Sequence, residues 1–145
     1  MSPLLVTIFL VAFAVALGAM VMSWGSSAGA RDSSSCKEVE ISPQMVSGSE
    51  LVCFDASAGK VKVVIANTGS LALEAVVNRQ VNTDFSINDI SIPASSLGVG
   101  QVLSTDLFLV PGPARIELIP AISVLNERVL CTSKALIRED IPPCT

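Results

Sequence analysis

The sequence has no histidine and no tyrosine, and it carries one tryptophan and five phenylalanines in 145 residues. Without histidine, every catalytic triad, proton shuttle and metal site that depends on imidazole is excluded. So few aromatic rings leave little for stacking nucleic-acid bases or sugars. Basic residues are scarce as well: 9 Lys and Arg stand against 13 Asp and Glu, for a net charge of −4 and a pI near 4.6. An acidic chain repels a phosphate backbone, which argues against a nucleic-acid partner. Charge is missing altogether from residues 1–30, the first ionisable side chain being Arg31. Half of the residues are hydrophobic and the mean hydropathy is +0.64. The placement of the charges explains that oily average. The chain joins an apolar segment, 1–30, to an ordinary polar domain, 31–145, the size of one small fold.

From Pro3 to Trp24 only Thr7, Gly18 and Ser23 interrupt an apolar run. At 1.5 Å per residue this makes a helix of about 33 Å, the thickness of a bilayer core. Ser2 suits the N-cap, and Pro3 suits the first helical position, where its missing N–H costs nothing. Gly25-Ser26-Ser27 and Gly29 read as the exit, and residues 25–35 as a short flexible joint. With no polar stripe, the helix has to be covered on all sides, by lipid or by a bundle of its own kind. A secretory signal peptide needs a basic start and a shorter apolar core. Here nothing basic precedes the run, so the expectation is that a basic leader has been removed and Met1 opens a mature chain. Small residues four apart, Ala12/Ala16 and Ala14/Gly18, with Ala19 beside them, allow helix backbones to approach closely.

The stretch Ser2-Pro3-Leu4-Leu5-Val6-Thr7-Ile8-Phe9-Leu10-Val11-Ala12-Phe13-Ala14-Val15-Ala16-Leu17-Gly18-Ala19 resembles the N-terminal segment of archaeal type IV pilins, over roughly a sixth of the chain. That resemblance implies removal of a leader by a prepilin peptidase, a stay in the cytoplasmic membrane, and export by pilus assembly machinery into an extracellular filament whose core is built from these helices. Pro3, Leu5, Phe9, Ala12, Phe13, Ala14, Ala16, Gly18, Ala19, Met22 and Trp24 would be the assembly residues. Leu5 stands where bacterial pilins place a glutamate, so subunit register would rest on packing alone.

Four cysteines, Cys36, Cys53, Cys131 and Cys144, lie outside the apolar run. None forms a CxxC pair and histidine is absent, so zinc is not expected. An even number suggests two disulfides in an oxidising compartment. Of the three connectivities, Cys36–Cys53 with Cys131–Cys144 is favoured. Turn signals at Ser42-Pro43 and Ser47-Gly48-Ser49 would bring the first pair together, and the second would tie down the C-terminus. Each short loop would contribute roughly 3 kcal/mol.

Residues 31–145 read as seven to nine short strands between turns, with no helix, and suit an immunoglobulin-like antiparallel β-sandwich. Val61, Val63 and Ile65 alternate with lysines. Asn67-Thr68-Gly69-Ser70 is a turn across which Leu71 to Val77 is expected to pair back. Phe85, Ile87, Ile90 and Ile92 continue the alternation. Val102 to Val110 is a strand closed by Pro111-Gly112-Pro113, and Arg115 to Ile119 is another. Val124 to Cys131 forms a hairpin about Asn126-Glu127, and Lys134 to Glu139 is the last strand. Phe54, Phe85 and Phe108 are expected as the large pieces of the core.

Candidate chemistry is thin. Asp84, Asn88 and Asp89 lack the calcium-loop spacing and are ordinary turn residues. Asp106 and Glu117 are a remote candidate for a carboxylate pair. Ser33-Ser34-Ser35 and Ser95-Ser96 could carry O-linked sugars, and no Asn-x-Ser/Thr sequon occurs. The expectation is therefore a non-enzymatic subunit without catalytic residues, metal or cofactor. It polymerises with itself into a type IV pilus filament for surface attachment. The alternatives are an archaellin of a motility filament and a monomeric single-pass anchored binding domain.

Overall fold

A computed structural model describes residues 2–109 and 113–144, and the side chains of these except 25–33, 113 and 114. It contains one N-terminal apolar helix followed by an all-β region of antiparallel sheets, dividing between Ser34 and Ser35. The expected start at Met1 and the turn at Pro111-Gly112 lie outside the described residues.

The helix α1 spans Pro3–Ser35. It therefore runs on through the residues expected to form an exit and a joint. No proline interrupts it, Ala28 and Ala30 are strong helix formers, and Gly and Ser cost at most about 1 kcal/mol each in a helix. The helical path ends where Cys36 begins the β region and is fixed by a disulfide to Cys131.

The first sheet is built on β5 (Lys60–Asn67). Its alternation of Val61, Val63 and Ile65 with Lys60, Lys62 and Val64 sends the first three side chains into the core, where each is fully buried. On one edge of β5 lies β8 (Val102–Phe108). The other edge is shared by β1 (Ile41–Pro43) and β4 (Val52–Asp55), which run in the same direction, end to end. Between them Gln44 and Leu51 both bond to Val64, while β2 (Met45–Val46) and β3 (Ser49–Glu50) loop outward as a hairpin. Ser47 and Gly48 turn that hairpin with φ of 53° and 81°, the doubly left-handed geometry that favours Gly and Asn.

The second sheet centres on β9 (Pro113–Val124), flanked by β6 (Ala75–Asn82) along one edge. Its other edge carries β10 (Glu127–Leu130) and β11 (Leu136–Arg138). β7 (Ile87–Ser91) closes the far side of β6. One short 3-10 turn, Thr132–Lys134, precedes β11. The β9–β10 hairpin turns on Leu125-Asn126, one residue earlier than expected, with both at positive φ.

Both sheets feed one aliphatic core: Val52, Val61, Val63, Ile65 and Leu107 from the first meet Val76, Ile116, Leu118 and Ile122 from the second. Two expectations fail here. β5 and β6 do not pair across the Asn67–Ser70 turn; the chain crosses there from one sheet to the other. The crossing is held by Asn67, fully buried, whose Nδ2 donates to the carbonyls of Leu71 (2.8 Å), Leu97 (3.2 Å) and Gly98 (3.3 Å) while its Oδ1 accepts from Gly69 N–H. A Cβ on Gly69 would overlap the backbone at Glu38 and Glu40, so only glycine fits. Nor are the phenylalanines the large core pieces. Phe54 packs against the core from its margin, but Phe85 and Phe108 are 86% and 69% exposed. Phe85 sits on a hairpin tip, and Phe108, at the end of an edge strand, has the Lys60 ammonium 4.6 Å above its ring.

Candidate assembly surface

All of the residues named from sequence as assembly residues, Pro3, Leu5, Phe9, Ala12, Phe13, Ala14, Ala16, Gly18, Ala19, Met22 and Trp24, lie on α1 and are exposed. Fourteen large apolar side chains of the segment are uncovered, from Leu4 at 71% to Trp24 at 79%. The span Pro3–Trp24 is long and apolar enough to cross a membrane. Its own polar atoms are largely spent within the helix: Thr7 Oγ1 donates to the Leu4 carbonyl at 2.8 Å, and Leu5 N–H to the Ser2 carbonyl. The backbone is thus satisfied locally while the large apolar side chains of the span stand exposed. At the usual value of burial, covering that surface is worth on the order of 20 kcal/mol.

The helix is not uniform in shape. With 3.6 residues per turn, Val6, Phe9, Leu10, Phe13, Leu17, Met20 and Trp24 share one broad flank, and Val6, Phe9, Leu10 and Phe13 frame an open apolar notch. Ala12, Ala16 and Ala19 fall on another flank, Ala14 and Gly18 on a third. Nothing stands within 4 Å of where a Gly18 Cβ would lie. Val6, Leu10, Leu17 and Met20 escaped the sequence reading. Helical periodicity would have found them beside Phe9 and Phe13.

The four cysteines all form disulfides, but not in the favoured pairing. Cys36 joins Cys131 and Cys53 joins Cys144, with Cα–Cα distances of 5.6 and 4.9 Å. The Ser47-Gly48 turn is real but returns the chain only for the β2–β3 excursion. β1 and β4 then continue in one direction along β5, which carries Cys53 away from Cys36. At the C-terminus, Phe54 N–H bonds to the Pro142 carbonyl and Cys144 N–H to the Phe54 carbonyl. That bridge lays residues 142–144 against β4 and places Cys144 beside Cys53. Loops of 95 and 91 residues are closed, each worth about 4–5 kcal/mol in the chain-entropy account, though not additively because they interleave. Two disulfides fit an oxidising, extracytoplasmic setting.

The residues weighed for chemistry serve the fold. Asp84 accepts from Ser86 N–H and Oγ at 3.0 and 2.6 Å, and these bonds hold its carboxyl below the usual carboxylate range. Asp89 is held low by the Arg79 guanidinium, which it meets at 2.7 and 2.9 Å, and the Arg79 pKa is raised in return. Asp106 and Glu117 belong to different sheets: Asp106 stands opposite Lys62, and Glu117 lies 2.8 Å from Arg115. Among the described residues no group of three His, Cys, Asp or Glu side chains could hold a metal. Ser95 is buried, its hydroxyl accepting from Val76 N–H and donating to the Ile92 carbonyl, so it is closed to glycosylation. In comparison with known proteins, no family model, no curated protein and no solved structure matches the chain.

Proposed function

We propose that this chain is a structural subunit that polymerises through α1 into an extracellular filament of the type IV pilus kind. The β region would form the filament's outer layer as an immunoglobulin-like β-sandwich. The observation that carries this reading is the span Pro3–Trp24 of α1: apolar on all sides and exposed, on the same chain as a disulfide-bonded β region. Two copies side by side would cover only part of such a helix, so full burial needs lipid or several neighbours. The subunit would stay in the cytoplasmic membrane before assembly, after a prepilin peptidase has trimmed it, and then transfer into the helical core. Moving from lipid to bundle gains little hydrophobic energy, so close packing at Ala12, Ala14, Ala16, Gly18 and Ala19 supplies the preference. Surface attachment follows from the likeness of residues 2–19 to adhesion pilins, and no catalytic role is assigned.

Electron microscopy of sheared cell supernatant tests the reading. Filaments that contain this chain are the expected result. Complete retention in the membrane fraction as a monomer would overturn it in favour of an anchored binding domain. Filaments whose loss abolishes swimming would instead assign the chain to a motility filament.

A further inference from the structure

The two disulfides lie in different surroundings. Cys36 and Cys131 are 1% and 0% exposed and belong to the aliphatic core. Cys53 is half-buried and Cys144 is exposed, and both line an open recess of about 550 Å³ beside β4. Thiol–disulfide exchange needs a thiolate to reach one sulfur of the bridge, so access governs its rate. A reductant meets Cys53–Cys144 on the folded protein. It meets Cys36–Cys131 only after the core has opened.

The segment that Cys53–Cys144 holds has few bonds of its own. Two backbone bonds join residues 142–144 to β4: Phe54 N–H donates to the Pro142 carbonyl at 2.7 Å, and Cys144 N–H to the Phe54 carbonyl at 2.9 Å. Pro142 and Pro143 have no N–H to donate, and the pairing stays a single bridge between Phe54 and Pro143. Pro142, Pro143 and Cys144 are all exposed. One residue earlier, Ile141 packs against the core and marks where a loosened end would stop. So short and exposed a terminus depends on its covalent tie.

We propose that Cys53–Cys144 is a redox-sensitive strap, opened by a dithiol reductant of the CxxC oxidoreductase class while Cys36–Cys131 stays closed. One thiolate of the dithiol attacks Cys144 Sγ, the more exposed sulfur. The bond to Cys53 breaks, and its electron pair leaves with Cys53 Sγ, which takes up a proton. The second thiolate of the reductant attacks its own partner sulfur in the mixed disulfide. Cys144 leaves with that electron pair and takes up a proton in turn. Two electrons and two protons have then passed to the protein, and the dithiol has become a disulfide. Residues 142–144 lift from β4, which frees the Phe54 N–H and C=O at the edge of the first sheet and lays the Cys53 thiol open in the recess. The core keeps its own disulfide, so the change is confined to one strand edge. In an oxidising compartment the closed strap is the resting form. The strap belongs to the β region alone and does not depend on how α1 is covered.

Mild reduction of the full chain in detergent, with dithiothreitol as the dithiol, tests it. Free thiols are trapped with iodoacetamide and mapped by mass spectrometry. Cys53 and Cys144 should become alkylated about a hundredfold or more faster than Cys36 and Cys131. Equal rates, or earlier opening of Cys36–Cys131, would overturn the distinction. Hydrogen exchange follows the strap itself. On reduction of Cys53–Cys144 the Phe54 and Cys144 amides should exchange about tenfold or more faster, while those of β5 and β9 keep their protection. Unchanged protection at Phe54 would overturn the strap, and a loss spread over β5 and β9 would overturn its local character. In a second arm, Cys53→Ser combined with Cys144→Ser should show the reduced pattern without reductant and no further change when dithiothreitol is added. Protection at Phe54 equal to that of the oxidised native chain would overturn the dependence on this disulfide.

Discussion

The helix and the β region solve opposite problems. α1 satisfies its backbone within itself and leaves the large side chains of Pro3–Trp24 exposed, a surface that the proposed reading covers with lipid or other copies. The β region buries its aliphatic side chains between two sheets and ties its ends with two disulfides, so it is complete alone. One chain thus separates the part that needs company from the part that does not. Changes in the β region should register as stability, and changes in α1 as assembly.

The largest expected effect tests the self-sufficient half. Replacing Cys36 and Cys131 together by serine should cost the β region about 4–5 kcal/mol, read by denaturant unfolding of the full chain in detergent, with the helical signal retained. Loss of both signals together would break the separation. Next comes Asn67→Ala, which strands three carbonyls that its side chain now serves; about 3 kcal/mol of β-region stability should go. For the dependent half, Gly18→Leu should cut filament yield about tenfold by keeping backbones apart, while the β-region melting temperature stays where it was. Abundant normal filaments would count against close packing at Gly18.

Smaller effects sharpen the picture. Asp89 has its pKa lowered by Arg79, so the pair stabilises the folded state above the unfolded carboxylate value of about 4 and loses that contribution as pH falls through the lower folded value. The pair is partly exposed, which limits the loss to under about 1 kcal/mol. Asp89→Asn should remove this part of the acid dependence. Smallest, and opposite in sign, is Leu125→Asn: easing a left-handed leucine at φ 50° should raise β-region stability by about 0.5–1 kcal/mol, read as a higher melting temperature.

Local patterns were legible and long-range ones were not. The alternation Val61-Val63-Ile65 marked β5, and the apolar run Pro3–Trp24 marked the helix, because each pattern is written within a single element. The pairing of β6 with β9 rather than β5 depends on a crossing stabilised by Asn67, whose partners Leu97 and Gly98 lie thirty and more residues away. The disulfides misled for the same reason: the turn at Ser47-Gly48 says the chain reverses but not that it reverses again. Phe85 and Phe108 were assigned to the core by residue type, and no periodicity distinguishes an apolar residue held for packing from one held outside. In α1 the composition signalled an uncovered surface, while Val6, Leu10, Leu17 and Met20 were not legible as one flank with Phe9 and Phe13, because a run that is apolar on every side gives no polar stripe to mark its faces.

The pairing of Cys36 with Cys131 has a mechanical consequence. Tension arriving along α1 enters the β region at Cys36 and passes by a covalent bond straight to Cys131. The intervening strands β1 to β10 are short-circuited, so they cannot be peeled away one after another from the N-terminal side. Cys53–Cys144 clamps the last residues in the same manner. Pulled between its helix and its C-terminus, the β region could extend by no more than the stretch from Cys131 to Cys144, which makes it a nearly inextensible bead on its tether.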